Sequence, residues 1–264
     1  MNPMNQIENK MISAKRTNLN PLRSTAAPVI ALLSALLLTA CASKPPTPDW
    51  QGNAFAALKG FTSAYLSGNT RLADAEFARA RLEISSTGRA DLLARAELAR
   101  CAVRVASLEF DNCAGYEPLA QDARAPEQAY AAFLSGRWSG LDAALLPAQH
   151  RAIVLQAATG PGPGPGPAPG RSLNAAPTAS LLSAMEDPLA RLVAAGALLQ
   201  NARLTAPDIE VATETASSQG WRRPLLAWLG VQLKRAQDAG EQEAAARLQR
   251  RIDLVLQTPT PKMQ

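Results

Sequence analysis

The chain has one histidine, His150, and aromatic residues make up only 5% of it. One imidazole cannot build a histidine-based metal site. So few aromatics argue against the ring-lined cleft in which a glycosidase holds its two carboxylates. No Walker A loop, no Gly-x-Gly-x-x-Gly, no His-Glu-x-x-His and no Gly-x-Ser-x-Gly elbow occurs, so no nucleotide, dinucleotide, zincin or hydrolase chemistry is announced. Alternation of strand length is missing throughout. No run of about 20 apolar residues exists to cross a membrane.

Charge is also nearly balanced. Residues 1–40 hold four of the basic residues (Lys10, Lys15, Arg16, Arg23) and one acidic one (Glu8), which leaves 23 basic against 21 acidic in the remainder. With no Lys/Arg run interleaved with aromatics, no nucleic-acid partner is expected. Neither a cofactor nor a metal is expected.

What is present begins at the amino end. After the basic residues comes a short apolar core, 26–40, closing on Leu38-Thr39-Ala40-Cys41. A secretory core spans about 7–15 apolar residues. These residues resemble the signal peptide and lipobox of bacterial lipoproteins. The resemblance implies diacylglycerol on the Cys41 thiol, cleavage before Cys41, and residues 1–40 as a removed leader. Ala42 follows the cysteine where Asp would hold the protein at the inner membrane. The implied location is the outer membrane, lipid-anchored and facing the periplasm, and several acyl chains make such an anchor stable.

Behind Cys41, residues 41–51 read as a Pro-rich tether, extended rather than helical. Helical spacing then runs through 52–158 and again through 172–257, with a Gly/Pro low-complexity linker at 159–171 and a disordered tail at 258–264. The predicted fold is all-α, about nine or ten helices arranged as antiparallel hairpins. The clearest helix is expected over 89–110, with Leu92, Ala96, Ala99, Val103, Ala106 and Phe110 as one apolar stripe and Arg95, Glu97, Arg100 and Arg104 off it. Another is expected over 140–157. Asp187-Pro188 and Thr205-Ala206-Pro207 read as helix starts.

Ser63-Ala64-Tyr65-Leu66-Ser67-Gly68-Asn69 and Ala131-Ala132-Phe133-Leu134-Ser135-Gly136-Arg137 are alike, and their glycines lie 68 residues apart, twice 34; Gly240 lies about three such periods further on. Gly68 is followed at +5, +9 and +12 by Ala73, Phe77 and Ala80. This spacing resembles the tetratricopeptide repeat, in which small residues let two helices approach and an aromatic fills the groove. Two architectures stay open: a solenoid of such hairpins or an irregular helical bundle.

Candidate site residues are few. Cys101 and Cys113 are either a disulfide closing a loop of about 12 residues, in a compartment where disulfides persist, or two separate thiols with Cys101 buried in a helix. His150 reads as a surface or helix-terminal residue. Glu109 and Asp111 flank the cysteines. Glu186-Asp187 reads as a helix end and a cap, and Asp208 and Glu210 as first-turn acids favoured by the helix dipole. Trp138, Trp221 and Trp228 read as core or interface rather than sugar platforms, and Arg222-Arg223 and Arg250-Arg251 as solvated faces, with anionic lipid headgroups or an acidic partner as their functional alternative. The function expected is a non-enzymatic adaptor or assembly factor of the cell envelope, bound to the membrane through Cys41 and to an envelope protein through its helices. A peptidoglycan-acting helical enzyme and a helical carrier of apolar ligands or lipids are the alternatives.

Overall fold

The computed structural model describes residues 48–159 and 176–257. The leader, Leu38-Thr39-Ala40-Cys41, the tether before residue 48, most of the Gly/Pro linker and the tail 258–264 lie outside the described residues. Within them no strand occurs, and ten α-helices carry the fold: α1 (Asp49–Leu66), α2 (Thr70–Ser85), α3 (Ala90–Ala106), α4 (Ala125–Leu134), α5 (Ala148–Thr159), α6 (Ala176–Ala184), α7 (Pro188–Gln200), α8 (Ala206–Ser218), α9 (Arg222–Asp238) and α10 (Gln242–Gln257). Short 3₁₀ turns cover Glu117–Asp122 and Ala143–Leu145. The all-α expectation is borne out.

Local chemistry starts the helices. Asn69 caps α2 through Leu72 N, Asp187 caps α7 through Leu189 N with Pro188 behind it, and Thr205 and Asp208 form a reciprocal capping box on α8. Gly68 turns α1 into α2 and Gly240 turns α9 into α10, both at positive φ. In the first hairpin Ala73, Phe77 and Ala80 are buried, and Phe77 meets Phe61 of α1 with ring centroids 5.2 Å apart.

The segment around Gly136 departs from that pattern. No α-helix follows it until Ala148. A Cβ at Gly136 would sit 2.7 Å from the Gln200 carbonyl carbon, because the end of α4 abuts the end of α7. Gln200 Nε2 donates to Leu134 O and Asn201 Nδ2 to Gly136 O, bolting the two ends together. The helix expected over 140–157 therefore shortens to α5, whose start is marked by Pro147; proline disfavours helix in the residue before it.

α3 and α7 are the centre. Each is buried on most of its circumference, as interior helices are. They pack on one another so closely that a Cβ on Gly196 would meet the Val105 carbonyl and lie 2.8 Å from Val105 Cγ1. α3 is thus not a one-stripe helix: Ala99 and Phe110 of the expected stripe are exposed, whereas Glu97 is buried and ion-paired with Arg81. It also ends at Ala106, because Leu108 takes a left-handed conformation.

Contacts between distant elements close the array. α1 packs against α9 as well as against α2, and Trp228 of α9, fully buried, donates Nε1–H to Ala106 O of α3. A solenoid repeat touches only its neighbours. The described residues instead form one compact, irregular bundle.

Candidate functional site

α1, α3, α4 and the start of α7 do not fill the space between them. A cleft of about 530 Å³ opens there, a size typical of ligand sites. Its apolar wall comes from Leu98, Ala102 and Val103 of α3 and Leu189 and Val193 of α7, and Leu145 and Pro147 edge it. It opens to solvent rather than being enclosed.

Its polar groups come from three elements. Glu127, in the first turn of α4, is only 6% exposed; Arg95 Nε donates to its Oε1, and its Oε2 has no hydrogen-bond partner. Tyr130 lies one turn further along α4 on the same face, where residues three apart are neighbours. His150, in the first turn of α5, is 1% exposed, with its ring stacked on Phe133 at 4.8 Å and on Tyr130 at 5.8 Å. Its Nε2 lies 3.2 Å from Ala190 O. A carbonyl only accepts, so Nε2 carries the proton and Nδ1 of the neutral ring is an acceptor, again without a partner. Burial pushes the imidazole pKa down to about 4, and the same burial raises the Tyr130 phenol above its ordinary range. His150 is thus the helix-terminal residue expected, but interior rather than superficial.

A general base works best with a pKa near the working pH, and His150 is held neutral far below it. The only hydroxyl from α1 in the wall, Thr62, donates to Leu58 O of its own helix. No group of three His, Cys, Asp or Glu side chains suited to a metal ion occurs among the described residues.

The other residues singled out are structural. Cys101 and Cys113 are joined as a disulfide, Cα atoms 5.1 Å apart, both buried. Asp111 accepts from Cys113 N and pairs with Arg104 at 3.0 Å. Glu109 pairs with Arg223 at 2.9 Å. These two acids hold the loop after α3 and shape no pocket of ligand size. Asp208 is buried in the capping box and also accepts from Thr178 Oγ1, tying α6 to α8. Asp187 caps α7 as expected, at the edge of the cleft. Trp138 and Trp228 are core, and Trp221 is half-buried.

Arg222 and Arg223 are not a solvated pair. Arg223 donates to Tyr65 O and Thr70 Oγ1 and lies 4.1 Å over the Tyr65 ring, clasping the first hairpin to α9. Arg222 donates to Val255 O and Leu256 O, satisfying the last carbonyls of α10. Arg250 and Arg251 are exposed as expected.

Glu127 and the cleft escaped sequence reasoning. Pro126-Glu127 reads as an ordinary helix start, an acid favoured by the dipole. Only the long-range packing of α4 on α3 turns it inward. No family model matches the chain, and neither a curated protein nor a solved structure is detectably similar to it.

Proposed function

We propose that the protein is a lipoprotein of the outer membrane, anchored through Cys41 and facing the periplasm, whose helical bundle is a non-enzymatic adaptor that docks an envelope protein in the α1–α3–α4–α7 cleft. The observation that carries the docking is the cleft itself: apolar, open to solvent, and furnished with polar groups from Glu127, Tyr130 and His150. An enclosed cavity would suit a carrier of lipids better than this open groove. The location rests on the amino-terminal sequence, where a short apolar core closes on Leu38-Thr39-Ala40-Cys41.

Two measurements on envelopes test the proposal. Mass spectrometry of the mature amino terminus should find an acylated Cys41, and Cys41→Ser should move the protein out of the membrane fraction or leave it as precursor. Pulldown with wild type should recover an envelope protein that Cys41→Ser loses or recovers poorly. An unacylated cysteine, or a chain with intact leader in the cytosol, would remove the anchor and the adaptor role together.

A further inference from the structure

The two buried polar atoms of the cleft that lack a partner are both acceptors. Glu127 has one carboxylate oxygen engaged by Arg95 and Oε2 without a partner. His150 engages Ala190 O through Nε2 and leaves Nδ1, an acceptor, without one. Both side chains are more than nine-tenths buried, and both line the cleft. Asp187 adds a second carboxylate, near enough to act electrostatically on both His150 and Tyr130. The one cation in the lining, Arg95, is half exposed and already paired.

Such a lining selects for donors. An anion would face two carboxylates across an apolar wall, where screening is weak. Glu127 Oε2 is already shut away from water with its lone pairs unmet, a costly state that a purely apolar occupant leaves in place and a donor relieves. A guanidinium gains most from a bidentate carboxylate, and Glu127 has a single oxygen to offer. An ammonium is a compact charge with three donors and no acceptor. Carried on an aliphatic stem, it matches both the oxygen and the leucine and valine wall.

We propose that the cleft receives a lysine side chain of the docked partner, its methylenes against Leu98, Ala102 and Val193 and its ammonium on Glu127 Oε2, with His150 Nδ1 and Asp187 as further acceptors. The proposal rests on the adaptor reading above for the source of the lysine, but not for the chemistry of the cleft.

The test uses the full chain in neutral detergent and three water-soluble compounds of one stem length: n-butylamine, n-butanol and butyrate. Methyl resonances of Leu98, Val103 and Val193 report occupancy by NMR. Butylamine should shift them at concentrations about tenfold below those of butanol or butyrate, the size expected for a hydrogen bond to a charged group. Glu127→Gln should bring the three compounds together. Asp187→Asn, which keeps a good helix cap, should narrow the preference by a smaller factor. Equal binding of butanol, tighter binding of butyrate, or a preference that survives Glu127→Gln would overturn the proposal. If Glu127→Gln fails to fold, the wild-type ratio and Asp187→Asn decide between the same outcomes. Envelope crosslinking from the cleft rim separates the two layers. A crosslinked partner without amine preference sinks the lysine alone, whereas amine preference without any crosslinked partner sinks the adaptor reading and with it the lysine source.

Discussion

The first and last hairpins of the chain and the stretch between α3 and α5 are built on different terms. α1–α2 and α9–α10 each turn at a glycine with positive φ and pair their helices directly. Residues 107–147 hold α4, but otherwise run through left-handed Leu108, Asn112 and Cys113, two 3₁₀ turns and a disulfide. The cleft draws Glu127, Tyr130, Leu145 and His150 from this irregular stretch and its immediate neighbour, α5, and only Thr62 from either end hairpin. Regular pairing fills space efficiently and leaves little to bind with. The departure from it opens the groove and turns polar groups inward.

If that contrast is right, the middle should be fragile and the ends tolerant. The largest effect is expected from Cys101→Ala with Cys113→Ala. Releasing a loop of 12 residues should cost about 3 kcal/mol in chemical denaturation. Hydrogen exchange should then rise first in 107–116. Uniform loss across both end hairpins would blur the distinction.

Gly196→Ala should cost about 2 kcal/mol, because the added methyl drives α7 away from the Val105 backbone. A midpoint shift in denaturant at unchanged slope reads it, and no shift would mean that α3 and α7 are more loosely packed than described.

His150 supplies a pH dependence. Its pKa is depressed from 6.5 to about 4 on folding, so the unfolded chain binds the extra proton as pH falls through that window. Its contribution is complete well above pH 6.5, and about 3 kcal/mol of it should be lost as pH falls through 6.5 towards 4. His150→Gln should flatten that part of the stability–pH curve. An unchanged slope would show that the imidazole is not held neutral in the interior.

The smallest change should run the other way. Gly230, inside α9 of the terminal hairpin, has no atom within 4 Å of an added Cβ. Gly230→Ala should stabilise by up to about 1 kcal/mol through helix propensity alone. A loss there would make the end hairpin as tightly constrained as the centre.

The same division explains what could be read from residues alone. Asn69, Asp187-Pro188 and Thr205 announce their helices because capping is local chemistry. Gly68 with Ala73, Phe77 and Ala80 announces a hairpin because the spacing is local too. The irregular stretch hides for the opposite reason. Leu108 and Cys113 adopt positive φ without being glycine or asparagine, a conformation their residue types do not announce. Gly136 looked like Gly68 over seven residues and differs because α7 abuts it from 64 residues away. Pro147 was the one available signal that no helix runs from 140. Arg223 looked solvent-facing because its acceptor, Tyr65 O, lies 158 residues earlier. Burial of Glu127 and His150 has no local signature at all, since it comes from α3, α4, α5 and α7 converging.

One comparison tests most directly whether the irregular middle is the docking surface. A photo-crosslinking residue is placed at Leu145, 37% exposed at the cleft rim, or at Leu82, 72% exposed on the first hairpin, in otherwise wild-type protein in intact envelopes. Leu145 should give a discrete crosslinked product that Glu127→Gln with Asp187→Asn abolishes, and Leu82 should not give it. The same product from both positions, or a Leu145 product indifferent to the two carboxylates, would contradict the assignment of the cleft.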